Sequence, residues 1–412
     1  MNAIWRLTKG KKALIHDTVW QLLNHIGGRI AIFLLFIYYA RHMSVDKYAL
    51  VSVFAMLQGL FTVLFDGGMN VLTVNNIAVK EALPRALIAR RLTWIAGTVV
   101  LTVACLVVYN GFLQWYEWAL LIVSSAALSV VNLLAFSCRG LQHPNWEATI
   151  TLTQKFGSVL LCLVLAWVSW VLPHWILVGN IMSSLVAIVV ALSLWKGRQG
   201  LVIDSPVSFT SLDAFFIMVV ELGGWVYFRV DVLLLKQMAG MHETGLYGAA
   251  YNLFVGLTVC SNTVMAVFMP RIAKGHEYRR KWTLRCLAVL VGGALLSVIF
   301  LIPLSGRLIT MIYGTHYAGS SALFAGLVIS TLFMFPNNLL NYLAMLGGKS
   351  KVYALIVCIG VIVNIGINFA AIPHWKAFGA VAATIATEMI IFFCMLTVVL
   401  TNWKGIMHAH RD

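Results

Sequence analysis

The sequence has very little charge. Only 10% of its 412 residues are charged, and no more than 14 of them are Asp or Glu. Hydrophobic residues make up 61% of the chain, and the mean hydropathy is +0.90. The core of a soluble domain cannot hold so many apolar side chains. This composition therefore excludes a soluble globular protein and indicates an integral membrane protein.

The sequence also lacks the short motifs that carry catalysis or bind metals. Its seven cysteines include no C-x-x-C pair, and its eleven histidines show no H-E-x-x-H or comparable ligand spacing. There is no P-loop, no G-x-S-x-G and no catalytic pair of carboxylates, and no polar segment is long enough for a catalytic domain. We therefore expect a transporter rather than an enzyme, with no catalytic residue, no metal and no cofactor.

A basic tail and a basic soluble domain are absent as well. The net charge of +15 consequently does not predict nucleic-acid binding. The charged N-terminus leads into a long apolar segment without a small-residue cleavage site, so we expect no cleavable signal peptide.

Long apolar runs dominate what is present. A bilayer core about 30 Å thick requires roughly 20 apolar residues per helix, and lipid forces every backbone polar group to be satisfied internally. We predict an all-α polytopic membrane protein with about twelve transmembrane helices. Their approximate spans are 15–40, 46–68, 92–110, 117–137, 149–171, 175–195, 211–236, 246–269, 283–304, 320–343, 352–372 and 378–401.

The basic residues predict the orientation of these helices. With a cytoplasmic N-terminus, 22 Lys and Arg residues fall in cytoplasmic segments and only five on the opposite side, namely Arg41, Lys47, Lys236, Arg307 and Lys376. This asymmetry satisfies the positive-inside rule and predicts that both termini are cytoplasmic.

The two halves of the chain resemble each other. The segment 43–54 opens the second predicted helix and 242–254 opens the eighth, and aligning Tyr48 with Tyr247 gives an offset close to half the chain. Six helices per half make these parallel repeats. We predict an N-terminal lobe at 1–200 and a C-terminal lobe at 201–412, with a transport site between the lobes.

Ionisable residues within the predicted spans are candidates for function, because they are costly in lipid. In the first helix Gln21, His25 and Arg29 recur every four residues and share one face, and Gly28 leaves room beside them. This polar face predicts that Arg29 is surrounded by water or contacts an anionic group. The alternative is an internal salt bridge from Arg29 to Asp66 or Glu388.

The seventh predicted helix carries a second group of charges. Glu221 and Arg229 lie on one row with Trp225, whereas Asp231 points about 200° away from Arg229. We favour Arg229 for the transport cavity, with Asp231 fixing the helix to a neighbour. Asp66 precedes two glycines and suits either a hinge or cap residue or an ion-coupling site.

Several stretches resemble the Wzx (O-antigen translocase) family of polysaccharide-exporting flippases, in the MOP (multidrug/oligosaccharidyl-lipid/polysaccharide) superfamily. The segment 228–254, "FRVDVLLLKQMAGMHETGLYGAAYNLF", is similar to that family's seventh helix, loop and eighth helix. The first loop, "HMSVDKY", departs from the family by lacking Gly-Pro, which leaves the subfamily open. The other matching stretches are 38–54, 64–80, 312–324 and 346–354.

This resemblance implies a V-shaped, MATE-like bundle in the bacterial inner membrane that works by alternating access. The implied substrate is an undecaprenyl-diphosphate-linked oligosaccharide, such as an O-antigen repeat unit for lipopolysaccharide, moved from the cytoplasmic to the periplasmic leaflet. Arg29, with Arg229, would bind the diphosphate because a guanidinium matches phosphate geometry, and Gln21 and His25 would contact sugars.

Coupling to H⁺ or Na⁺ is a further expectation, and the implied partners besides membrane lipids are a polysaccharide polymerase and a chain-length regulator. The residues that could bind the coupling ion are Asp66, Glu221, Asp231 and Glu388. Three alternatives remain open: a multidrug or cation antiporter of the same superfamily, an O-antigen polymerase, and a scaffold for glycan assembly.

Overall fold

The structure is a computed structural model. It describes residues 20, 23, 24, 26–80, 82–108, 113–168, 171–196, 202–207, 209–274 and 276–408. Almost all of these residues are helical. The helices are α1 (26–42), α2 (Val45–Asp66), α3 (Met69–Lys80), α4 (Arg85–Val108), α5 (Trp115–Gly140), α6 (Pro144–Val168), α7 (Trp175–Trp195), α8 (Ser211–Met238), α9 (Met241–Lys274), α10 (His276–Tyr313), α11 (Ser320–Leu346), α12 (Ser350–Trp375), α13 (Ala377–Thr401) and α14 (Trp403–His408).

Ten helices among the described residues are long and apolar enough to cross a membrane. They are α2, α4 to α7 and α9 to α13, and each coincides with a predicted span. The other two predicted spans correspond to α1, whose N-terminal part lies outside the described residues, and to α8. With 28 residues α8 is long enough, but it contains Asp213, Glu221, Arg229, Asp231 and Lys236. The prediction of an all-α polytopic membrane protein is confirmed.

Two glycines end α2 in a way that the hydropathy pattern does not show. Gly67 and Gly68 have φ values of +57° and +65°, a conformation that side-chain-bearing residues rarely adopt. The chain turns there and continues as the short helix α3, whose residues the sequence predicted as a loop. Two strands of two residues each, β1 (Leu83–Pro84) and β2 (Val202–Ile203), pair in parallel.

The chain forms two compact units. Unit 1 comprises Met1–His42 and Val53–Trp225, and unit 2 comprises Met43–Ser52 and Val226–Asp412. The segment after α7 belongs to unit 1 and is attached to it by polar contacts. Lys80 Nζ donates to Ser205 Oγ at 3.2 Å, and Arg85 Nη1 lies 3.1 Å from Asp204 Oδ2.

Small residues hold the helices of unit 1 close together. A Cβ on Gly179 of α7 would lie 2.7 Å from Cys162 Sγ of α6, and one on Gly157 would lie 3.2 Å from Ser183 Cβ. Ala187 and Ala191 are completely buried in the adjoining core. Close helix contacts of this kind are typical of membrane bundles, where dispersion rather than the hydrophobic effect holds helices together.

Unit 2 has an extended hydrophobic core of its own. It lies among α9, α10, α11 and α13 and is built from aliphatic, aromatic and methionine side chains, including Met265, Leu290, Phe335 and Met395. Pro336 lies inside α11, yet its helix continues on both sides. This packed core fixes the positions of the polar side chains described below.

Candidate functional site

The cationic face of unit 1 centres on Arg29, which α1 carries with its side chain exposed. Gln21 and His25, the other members of the predicted stripe, lie outside the described residues. Asn24 is buried one turn before Gly28, and its Oδ1 accepts a hydrogen bond from Thr151 Oγ1 of α6. This bond fixes α1 against α6 and so determines which α6 side chains come close to Arg29.

Lys155 of α6 fills the space that Gly28 leaves. A Cβ on Gly28 would overlap Lys155 Cδ and lie 2.7 Å from its Nζ and 3.0 Å from its Cε, so a side chain at position 28 would displace this flexible lysine side chain. Lys155 is half-buried near the middle of α6, and Arg29 is close enough to act on it electrostatically. The sequence analysis counted Lys155 among the cytoplasmic charges, although it lies inside the predicted span 149–171.

The nearest acidic group on this face has its own partner. Glu147, one turn before Thr151 on α6, is buried and forms an ion pair with Arg139 of α5. Both carboxylate oxygens also accept from Arg139 Nε at 3.1 Å. The face formed by Arg29, Lys155 and Arg139 is therefore positive overall.

Asp66 pairs with Arg91, not with Arg29 as the salt-bridge alternative proposed. The Arg91 guanidinium is fully buried and contacts both the carboxylate and the backbone carbonyl of Asp66. Asn70 Nδ2 and Asn132 Nδ2 donate to Asp66 Oδ2 at 2.8 and 2.9 Å. The charge of Asp66 is thus neutralised within unit 1.

Glu221 lies in the part of α8 that belongs to unit 1, where it is half-buried and within electrostatic reach of Asp66 and Arg91. Four residues later, Trp225 Nε1 donates to the Met56 carbonyl at 2.9 Å and its ring packs over Gly59 of α2. Arg229, the third member of the predicted row, belongs to unit 2.

Asp231 connects α8 to α9 within unit 2. It is buried, and its carboxylate accepts a hydrogen bond from Tyr247 Oη and one from the Val232 amide at 2.9 Å. Arg229 is half-buried, and its guanidinium carbon lies 5.0 Å from the ring centre of Tyr251, a cation–π contact.

Glu388 of α13 is the second buried carboxylate of unit 2. Tyr227 Oη donates to its Oε1 at 2.8 Å, and Asn337 Nδ2 donates to its Oε2 at 3.0 Å. Among the described residues, Glu388 forms no ion pair with a lysine or arginine, whereas Arg229 acts electrostatically on Asp231. The negative charge of Glu388 is therefore met by hydrogen bonds from neutral groups.

Asp231 and Glu388 face the same small cavity. Its volume is about 10 Å³, which is about the space that one water molecule needs, and a monovalent cation is of similar size. Carboxylate, amide and hydroxyl oxygens surround it, and such oxygens are the donors that hard cations prefer. The other lining residues are Tyr227, Phe228, Tyr251, Phe254, Met334, Asn364 and Thr384.

A larger groove of about 480 Å³ in unit 1 contains none of the predicted site residues. Trp94, Gly97, Leu101 and Phe215 make its wall largely apolar. Its one charged residue, Arg90, donates to the Phe209 carbonyl at 2.9 Å. Two candidate binding sites remain. One is the cationic face formed by Arg29, Lys155 and Arg139. The other is the cavity lined by Asp231 and Glu388, which we call the carboxylate cavity.

The sequence analysis missed Arg91 and Lys155 as candidates. Both were counted among the cytoplasmic charges, because Arg91 directly precedes the predicted span 92–110 and Lys155 lies near the start of the span 149–171. A signal was available for Arg91: it neighbours Arg90, and two consecutive residues cannot occupy the same face of a helix.

The family follows from comparison with known proteins. A model of the family described as "Polysaccharide biosynthesis protein" matches residues 14–276. The chain belongs to this family. A putative O-antigen transporter of Shigella dysenteriae is 23% identical over 392 residues, which is 89% of this chain and 95% of that protein. The resemblance to polysaccharide-exporting proteins is confirmed.

Solved structures show the fold of this family member independently. The lipid II flippase MurJ in an inward closed conformation superposes with a TM-score of 0.72 at 13% identity, over 94% of this chain and 89% of that one. A multidrug resistance MATE transporter of the MOP superfamily, in an inward-facing conformation, gives 0.69 at 12% identity, over 92% and 94%. The predicted MATE-like fold is confirmed.

Proposed function

We propose that this protein is a flippase that moves an undecaprenyl-diphosphate-linked oligosaccharide from the cytoplasmic to the periplasmic leaflet by alternating access. The observation that carries this proposal is the alignment with a putative O-antigen transporter along 95% of that protein's length. The family match over 14–276 supports it. The protein is a membrane transporter and not an enzyme.

The charges of the described residues suit this substrate. A diphosphate is an anion that stays at membrane level because its polyprenyl chain stays in lipid. Arg29 offers an exposed guanidinium on a membrane helix, and a guanidinium forms paired hydrogen bonds with phosphate oxygens. In this proposal Arg229 assists Arg29, and Gln21 and His25 contact sugar hydroxyls.

The carboxylate cavity of unit 2 is the proposed site of the coupling ion, H⁺ or Na⁺. Two buried carboxylates that line one small cavity gain stability when a proton or a cation enters. Asp66 is less suited to this role, because Arg91 already neutralises it. Glu221 would influence coupling only through its electrostatic contact with Asp66 and Arg91.

The proposed location is the bacterial inner membrane, with both termini in the cytoplasm. This orientation rests on the excess of Lys and Arg in alternate loops. The transported unit is a substrate for polymerisation on the periplasmic side. We therefore propose a polysaccharide polymerase and a chain-length regulator as functional partners in the same membrane.

Arg29→Ala is the variant that tests the proposed function. Loss of one arginine–phosphate interaction costs about 1.5–3 kcal/mol, so we expect export to fall roughly 10-fold to 150-fold. The measurement is surface polysaccharide together with lipid-linked oligosaccharide, in cells that lack the chromosomal gene and express the variant. Surface glycan should fall accordingly while the lipid-linked unit accumulates inside.

Arg41→Ala is the matched control, since Arg41 is an exposed arginine at the other end of the same helix and on the predicted periplasmic side. Its export should equal that of the wild type. Normal surface glycan in the deletion strain, with increased sensitivity to cationic dyes, would contradict the flippase and indicate a multidrug extruder.

A further inference from the structure

Lys155 is a membrane-embedded cation to which the proposed function gives no role. It lies half-buried near the middle of α6, far from either end of that helix. Among the described residues it forms no ion pair with a carboxylate. An ammonium group in this position is costly unless it lines a polar path or meets an anion.

Gly28 leaves the space that the Lys155 side chain occupies at the contact between α1 and α6. The lysine side chain packs against Gly28, and a β-carbon at that position would force the lysine side chain to move. Gly27, one residue earlier, offers a contrast, because a Cβ there would meet Leu152 Cδ2 at 3.7 Å, an ordinary van der Waals distance. The Asn24–Thr151 hydrogen bond holds the two helices in this register.

Arg29 follows Gly28 directly, so two positive side chains lie close together at the contact between α1 and α6. They repel each other, and Arg29 acts electrostatically on Lys155. Glu147 also acts on Lys155, but its carboxylate is paired with Arg139. Two neighbouring cations in a low-dielectric region are stabilised by an anion that contacts both.

We propose that Lys155 joins Arg29 in binding the diphosphate of the lipid-linked substrate. Gly28 is a positioning residue, since it makes the space in which the Lys155 ammonium lies beside Arg29. This inference rests on the proposed function, and it names a binding residue and a specificity: diphosphate is preferred over monophosphate.

The experiment measures lipid binding by the full-length protein in nanodiscs of phosphatidylcholine. The probes are undecaprenyl diphosphate, undecaprenyl monophosphate and phosphatidylglycerol. Lys155→Met removes the charge and keeps an unbranched side chain of similar length. We expect it to weaken diphosphate binding about tenfold, the size of one hydrogen bond between charged groups, and to weaken monophosphate binding much less.

Three further variants distinguish the effect of the position of the Lys155 ammonium group from the effect of its charge. Gly28→Ala retains both charges but displaces the ammonium, so diphosphate binding should weaken several-fold. Gly27→Ala makes the same change next to it without touching Lys155, and its binding should equal that of the wild type. Lys155→Arg restores a cation and should recover most of the affinity lost in Lys155→Met, which also shows that the fold tolerates substitution there.

The outcomes separate this inference from the proposed function. Wild-type affinity for diphosphate in Lys155→Met, in protein that still exports glycan, would overturn the inference alone. An equal loss for all three anions would overturn the diphosphate specificity in favour of general attraction to anionic lipid. No binding of undecaprenyl diphosphate by the wild type, with normal surface glycan in the deletion strain, would overturn both proposals.

Discussion

Replacing Arg91 by alanine should destabilise this protein by about 3–5 kcal/mol, which is the usual cost of removing one partner from a buried ion pair. Arg91 is completely buried, and Asp66 is only 4% exposed. Without the guanidinium, the Asp66 carboxylate would keep only the amide hydrogen bonds from Asn70 and Asn132. Thermal or denaturant unfolding in detergent measures the change.

Arg90→Ala is the control for this prediction, because Arg90 is the adjacent arginine on the same helix. It is half-buried, and its side chain bonds the Phe209 carbonyl and Ser211 Oγ rather than a buried carboxylate. We expect a change of no more than about 1 kcal/mol.

The double variant Asp66→Leu/Arg91→Met adds a test of mechanism. Replacing a whole buried pair by apolar side chains is often close to neutral, so the double variant should be more stable than Arg91→Ala. If Arg91→Ala were as stable as Arg90→Ala, the pair would not be a structural element of unit 1. Asp66 would then return as a candidate for ion coupling.

Glu388→Gln should abolish the stimulation of transport by an ion gradient. The amide cannot carry the negative charge that a proton or Na⁺ would neutralise, so cation binding should weaken by about tenfold to a hundredfold. Asp231→Asn should act in the same direction, since Asp231 lines the same cavity. The measurement is substrate flipping in proteoliposomes with an imposed Na⁺ or pH gradient.

Glu243→Gln makes the same chemical change outside the cavity. Glu243 lies in the first turn of α9 with one carboxylate oxygen 3.7 Å from Lys376 Nζ, and its loss should leave the gradient response unchanged. Tyr227→Phe removes one hydrogen bond to Glu388 and should give an intermediate effect. If an ion gradient still stimulated substrate flipping fully in both Glu388→Gln and Asp231→Asn, the cavity would be excluded as the coupling site.

Hydropathy predicted the membrane helices well, because the length of an apolar run is a local property and the bilayer thickness fixes it. The sequence did not predict the turn at Gly67–Gly68 or the helix α3. Two glycines in the left-handed conformation change the direction of the chain without changing its hydropathy. The minimal strands β1 and β2 were also missed, because they depend on the pairing of Leu83 with Val202 rather than on any local pattern.

Less of the candidate site than of the helices could be predicted from the sequence. Spacing identified Arg29, Asp66, Asp231 and Glu388 as ionisable groups inside helices, but it could not show their partners. Asp66 and Arg91 are 25 residues apart and on different helices, so their pairing is a property of tertiary packing. The same applies to Lys155, whose closeness to Arg29 depends on the contact at Gly28.

The division of α2 between the two units has a consequence for synthesis. Residues 43–52 belong to unit 2, where the Tyr48 hydroxyl accepts a hydrogen bond from Asn252 Nδ2, 204 residues later in the chain. At 5–20 residues per second, that partner leaves the ribosome roughly 10–40 s after Tyr48 does. During this interval the start of α2 lies in the bilayer without Asn252 as a hydrogen-bond partner for the Tyr48 hydroxyl. Unit 2 cannot be completed by the C-terminal half alone, so a gene cut at the midpoint would separate the second fragment from part of its own fold.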